Sequence, residues 1–123
     1  MQHNSEFFAL VQSIQPKITE ISIEAYQADD SWTLIDVRED HEWLAGHLPR
    51  AEHLGKGIIE RDIETRFPDK SRPLLLYCGG GHRSALAAYQ LQLMGYSHVA
   101  SLSGGFSAWT TRRLPVIQDQ AKP

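Results

Sequence analysis

The chain has 123 residues and a formal net charge of −3, with 41% hydrophobic and 22% charged residues. These values suit one soluble globular domain, and the lack of a long Lys/Arg block argues against nucleic acid as a partner. No apolar run approaches the length of a membrane span, and the opening MQHNSEFFALVQSIQPK lacks the pattern of a secretory leader, so a cytoplasmic protein is expected, with no membrane partner.

In chain order, SEFFALVQSI (5–14) reads as a helix with Ser5 as its N-cap. ITEIS (18–22) reads as a strand, and SIEAYQA (22–28) as a helix capped by Ser22. TLIDV (33–37) is a second strand, followed by the helical pattern EDHEWLA (39–45) that Gly46 ends. AEHL (51–54) has the weakest strand pattern. GIIERDIETRF (57–67) places Ile59, Ile63 and Phe67 near one helix face, and Pro68 stops it. LLLYC (74–78) is nearly continuous in apolar residues, as for a strand buried on both faces. SALAAYQLQLM (84–94) is apolar almost all round and ends at Gly95. HVASL (98–102) is the fifth strand, and FSAWTTRR (106–113) closes the set before Pro115, with Trp109 facing the sheet. Strands alternating with helices predict parallel βαβ units, hence an α/β fold with helices on both faces of the sheet. In such folds ligands bind beyond the carboxyl ends of the strands, where Cys78 and Asp36 fall.

Cys78 is the chain's one cysteine, so no internal disulfide forms. Gly79 to Arg83 must turn the chain into a helix starting near Ser84. Three glycines allow positive φ and close backbone approach, so successive N–H groups can form an anion-binding nest. The helix N-terminus adds positive character, as do Arg83 and, in some readings, His82. A thiol in that setting ionises readily and acts as a nucleophile towards an anionic substrate. The bland alternative is an inert cysteine ending a core strand, which the glycine turn, the arginine and the helix start together outweigh.

CGGGHRS (78–84) resembles the active-site loop of the rhodanese family of sulfurtransferases. LIDVREDHEWLAGHLPRAEHL and LSGGFSAWTTRRLPV resemble two further family segments, in the same order and spacing. The resemblance covers about residues 18–116, so the expected organisation is a single domain over 1–123 with an N-terminal helical extension at 1–17. It implies a five-stranded parallel sheet flanked by helices and a Cys78 that carries sulfane sulfur as a persulfide. The backbone amides of Gly79, Gly80, Gly81, His82, Arg83 and Ser84 would surround that sulfur. The donor would be a small molecule such as thiosulfate, the acceptor cyanide or a thiol, with a protein acceptor also open; no cofactor is implied.

This chain departs from the family pattern at several positions. Gly79 and Gly80 stand where many active members carry a basic or hydroxyl residue, which leaves fewer side-chain contacts to a donor. His82 replaces a common Asn, and Arg50 and Arg113 replace usual glycines, both expected to be structural. Those missing loop side chains keep open a relay or regulatory module that docks a protein partner. A small cysteine phosphatase or arsenate reductase is the third reading. Cysteine phosphatases place five residues between Cys and Arg, whereas four intervene here, which favours a single sulfur atom over a phosphoryl group.

Asp36 and Arg38 flank Val37 at a strand exit and either tune the site or pair with each other to lock the loop. Glu42 and His47 are expected to hold a turn, and Trp43 to be core or to line the pocket mouth. The sixfold spacing of His41, His47 and His53 fits no usual zinc-ligand pattern, so no metal is expected.

Overall fold

The computed structural model describes residues 4–118. The ends of the expected domain, residues 1–3 and 119–123, lie outside the described residues. Five parallel strands form one sheet: β1 (Thr19–Ile21), β2 (Thr33–Asp36), β3 (Glu52–His53), β4 (Leu74–Tyr77) and β5 (Val99–Leu102). Their spatial order is β1-β5-β4-β2-β3, which puts β4 at the centre. Six α-helices alternate with them: α1 (Ser5–Ile14), α2 (Ile23–Gln27), α3 (Asp40–Ala45), α4 (Ile59–Arg66), α5 (His82–Leu93) and α6 (Gly105–Thr111). A 3-10 turn at Gln15–Lys17, with Pro16 near its start, ends α1.

The α/β architecture expected from the alternation is present, and the elements follow the expected order. Each strand of β4 and β5 is buried throughout, which explains their continuous apolar sequence. Alternate residues of β4 serve two cores. Leu74, Leu76 and Cys78 point to the layer of α4 and α5, with Ile59, Ile63, Ala87, Ala88 and Leu91. Leu75 and Tyr77 point to the layer of α2 and α6, with Ile23 and Trp109. Trp109 is thus core, as its sequence position predicts, and its Nε1 donates to the Pro115 carbonyl at 2.8 Å.

Helix α1 packs on α5. Its buried Val11 and Ile14 pack on Ala85 of α5, with Phe7, Leu86 and Tyr89 around them. The extension is therefore a third layer over α5.

Three local expectations are corrected. Asn4, with extended φ −60° and ψ 139°, is the N-cap of α1, and Ser5 is already helical. Helix α5 begins at His82, two residues before the position expected from its apolar run, because the polar HRS segment forms the first turn. The third strand keeps only Glu52–His53, although Leu54 N still donates to Asp36 O at 3.0 Å. Ser22 caps α2 as expected, accepting from Ala25 N at 3.0 Å.

Candidate active site

Strand β4 delivers Cys78 to the carboxyl edge of the sheet, between β2 and β5. The residue is 1% exposed, with its sulfur turned into the loop that follows. Gly81 N donates to Sγ at 3.1 Å and Ser84 N at 3.3 Å. The Ser84 hydroxyl lies 3.4 Å from Sγ and 2.8 Å from the hydroxyl of buried Ser101 on β5. Sulfur, Ser84 and Ser101 thus form a short chain reaching into the sheet.

Gly81 makes this geometry possible. Its φ of 101° is a conformation that side chains with a Cβ rarely adopt, and it turns the amide onto the sulfur while opening helix α5. Gly79 and Gly80 lie outside the positive-φ region. Gly80 is exposed at the rim, while Gly79 sits against Arg83, whose Nη2 is 3.1 Å from the position a Cβ would take. His82 is the first residue of α5, with Phe7 and Phe8 of α1 at ring separations of 6.1 and 6.0 Å.

The loop is also held from behind. Phe106 N donates to Cys78 O at 2.8 Å, and Ser107 N to Gly79 O at 2.9 Å. These are orphan amides at the start of α6, satisfied by the cysteine loop. The approach depends on Gly105, where a Cβ would lie 2.4 Å from Cys78 O. The role of this glycine was not read from the sequence, although it belongs to the Gly-Gly pair of the family-like closing segment.

Arg83 brings its positive charge to the cavity that holds the thiol, as expected, and its guanidinium also forks onto Glu42 of α3, at 2.7 and 3.1 Å. Hydrogen bonding from Arg83 holds the Glu42 carboxyl down to about 2, against the opposing effect of burial. The same bonds make the Arg83 guanidinium still harder to deprotonate. Glu42 also accepts from Glu39 N at 3.0 Å at the start of α3. It thus caps the start of α3 rather than the turn after that helix that its sequence position suggested, and it also fixes the loop arginine.

Asp36 and Arg38 form a buried ion pair away from the sulfur. Arg38 Nε lies 3.1 Å from both carboxylate oxygens, and Nη2 is 2.8 Å from Oδ2. The Tyr77 hydroxyl donates to Asp36 Oδ2 at 2.5 Å, and Arg38 Nη2 to Gly46 O at 2.6 Å. Burial, reinforced by the Asp36 carboxylate, pushes the Tyr77 phenol above its ordinary range. The Arg38 guanidinium lies 4.1 Å from the Phe106 ring centroid. The pair therefore braces the residue that clamps Cys78, and this mutual pairing is one of the two arrangements its sequence position suggested.

A cavity of about 340 Å3 opens over the thiol, lined by Phe7, Cys78, Gly80, His82 and Arg83. A slightly larger one, about 370 Å3, lies between Tyr26, Arg50 and Trp109, remote from the cysteine loop and without a nucleophile. The indole of Trp43 stacks on His47 at 3.6 Å and on His53 at 5.0 Å, so it packs among histidines away from the thiol cavity. Among the described residues, no three His, Cys, Asp or Glu side chains come together as a metal site. No helix among them is long and apolar enough to cross a membrane.

Comparison with known proteins finds sulfurtransferases among the relatives. The chain is 36% identical over 76 residues to the thiosulfate sulfurtransferase GlpE of Stutzerimonas stutzeri, covering 62% of this chain and 68% of that protein. It is 34% identical over 84 residues to a sulfurtransferase of Allochromatium vinosum, covering 68% and 77%. Its fold matches that of a Rhodopseudomonas palustris protein of unknown function, described as a possible tyrosine phosphatase, with a TM-score of 0.78 at 27% identity over 95% and 98% of the two chains. Residues 22–112 match the rhodanese-like domain, and the chain belongs to that family.

Proposed function

We propose that this protein is a sulfurtransferase in which Cys78 accepts a sulfane sulfur as a persulfide and passes it to a thiophilic acceptor. The observation that carries this reading is the convergence of the Gly81 and Ser84 amides on Cys78 Sγ. With thiosulfate as donor, the Cys78 thiolate attacks the outer sulfur. A new S–S bond forms, the donor's S–S bond breaks, and sulfite leaves with the electron pair. The terminal sulfur of the persulfide is an anion beside a nest of N–H groups and a helix N-terminus, which favour negative charge there. Cyanide or a thiolate then attacks that terminal sulfur and returns the Cys78 thiolate. The covalent intermediate makes the kinetics ping-pong. No cofactor takes part beyond the sulfur itself, and a reducing, cytoplasmic setting belongs to this reading. The relatives' names support the sulfur chemistry.

The test is the intact mass of the protein after thiosulfate treatment. It should gain one sulfur atom, cyanide should remove it, and Cys78→Ser should abolish both changes. A Cys78→Ser protein that still forms thiocyanate at the wild-type rate would overturn the assignment.

A relay module that takes sulfur from a protein partner is the second reading. It is favoured by one observation: Gly79 and Gly80 offer no side chain to a small donor, and Arg83 is engaged by Glu42. Phosphatase chemistry is the weaker reading. The loop is one residue shorter than a cysteine phosphatase loop, and its arginine is already bound to a carboxylate.

A further inference from the structure

We propose that Phe7, on the helix that precedes the family segment, is a specificity-determining wall of the sulfur site, selecting small organic sulfane donors whose apolar group rests on its ring. The inference rests on the sulfurtransferase reading and adds the substrate class.

Helix α1 spans Ser5–Ile14, whereas the rhodanese-like segment starts at residue 22. The helix is nevertheless anchored on α5 through Val11, Ile14 and Ala85. That packing carries the half-buried Phe7 to the cavity that also holds Cys78. Whatever occupies this cavity must place a sulfur at Cys78 Sγ and the rest of its body beside Phe7. The volume, about 340 Å3, lies at the low end of the range for small-molecule sites, roughly 300–1,000 Å3. The occupant is therefore a compact organic group rather than a folded domain.

Charge points the same way. Thiosulfate is a compact dianion. Arg83 is the arginine among the lining residues, and its two forks are spent on Glu42. The loop's amides remain to meet one negative charge at the transferred sulfur. A monoanionic donor with an apolar body meets both features, an aromatic wall and a single anion cradle. For an aryl thiosulfonate the step balances simply. The Cys78 thiolate bonds to the terminal sulfur, the sulfur–sulfur bond breaks, and an aryl sulfinate leaves with the pair; cyanide then takes the terminal sulfur as thiocyanate.

The test compares benzenethiosulfonate with methanethiosulfonate, cyanide being the acceptor, in the full chain and in Phe7→Ala and Phe7→Leu. Dividing the ratio of kcat/KM values in each variant by the wild-type ratio removes the donors' intrinsic reactivity. Phe7→Ala should lower the preference for the benzene donor roughly two- to tenfold, the range of an aromatic contact, with Phe7→Leu intermediate. A second measurement needs no sulfur transfer: the rate of Cys78 alkylation by N-benzyl iodoacetamide relative to iodoacetamide, which Phe7→Ala should lower in the same way. Thermal midpoints identify any variant that fails to fold, and Phe7→Leu then carries the comparison. An unchanged alkylation ratio overturns the proposal through Phe7 itself. Absence of sulfur transfer from every donor overturns it through the reading on which it rests.

Discussion

The Arg83 guanidinium forks onto the Glu42 carboxylate, 2.7 and 3.1 Å away, and so ties the first turn of α5 to the first turn of α3 across the mouth of the cysteine loop. Two helices that follow different strands are thereby fixed relative to Cys78.

This pair has a defined pH signature. The Glu42 carboxyl falls from an ordinary 4.5 to about 2. Its folded pKa is depressed, so its contribution to stability is complete above 4.5 and is lost as pH falls towards 2. Glu42→Gln should remove about 1.5 kcal/mol at neutral pH, the low end for a charge-assisted bond because both groups are partly exposed. Between pH 5 and 2.5 its thermal midpoint should fall less steeply than that of the wild type. Parallel midpoint-against-pH curves for the two proteins would show that Glu42 does not carry this dependence.

The glycine loop is sharply unequal in its demands. Gly81 holds φ at 101°, so a Cβ there is strained by roughly 1–3 kcal/mol. Gly80 has an ordinary φ, and its nearest neighbour to a Cβ is His82 Nδ1 at 3.7 Å. Gly81→Ala should therefore lower the thermal midpoint while Gly80→Ala leaves it nearly unchanged. Gly81→Ala should also reduce thiocyanate formation by roughly tenfold or more, because an amide aimed at the sulfur is displaced. Equal midpoints for the two alanine variants would remove Gly81 from its place as the pivot.

Much of this site is legible in the chain, and the reasons are local. The run LLLYC has no polar break before the thiol, so a buried central strand ending near Cys78 follows from composition alone. The glycines and the helix-forming ALAAYQLQL segment then dictate a strand–turn–helix. The start of α5 is less legible, because His82, Arg83 and Ser84 carry no periodic signal and are helical only in their packed setting. Partners distant in sequence are illegible for a different reason. Glu42 and Arg83 are 41 positions apart, and Ser84 and Ser101 are 17 apart, and only the parallel order of β2, β4 and β5 brings them together. The Phe7 contact is less legible still, since nothing in SEFFALVQSI indicates which helix it packs on.

The Asp36–Arg38 pair is fully buried, and the Tyr77 hydroxyl shares the carboxylate. Asp36→Asn keeps the shape but leaves the Arg38 charge without its counterion, which should cost about 3–5 kcal/mol. Tyr77→Phe removes two hydrogen bonds, the one to Asp36 and the one accepted from Leu48 N at 3.1 Å, and leaves the ion pair, at a cost of about 2 kcal/mol. Urea unfolding of both variants measures the difference. A loss from Asp36→Asn no greater than that from Tyr77→Phe would show that Arg38 finds compensation elsewhere.

Arg50 and Arg113 occupy left-handed backbone, with φ of 70° and 56°. A residue with a Cβ is disfavoured there by about 1–2 kcal/mol, which explains why the corresponding places in the family pattern suit glycine. Part of that penalty is recovered in this chain, because glycine would lose about 0.5–1 kcal/mol more backbone entropy on folding. Arg50→Gly and Arg113→Gly should each gain up to about 1 kcal/mol, a rise in thermal midpoint of about 4 °C for a domain of this size. Arg50→Ala and Arg113→Ala are the informative controls, because alanine removes the guanidinium but keeps the Cβ. They should show no gain. Arg113 N still donates to Thr110 O at 2.9 Å to close α6, a backbone bond that either substitution preserves. If alanine stabilises as much as glycine, the arginine side chain rather than the backbone conformation is the source of strain, and the left-handed geometry is tolerated without cost at these two turns.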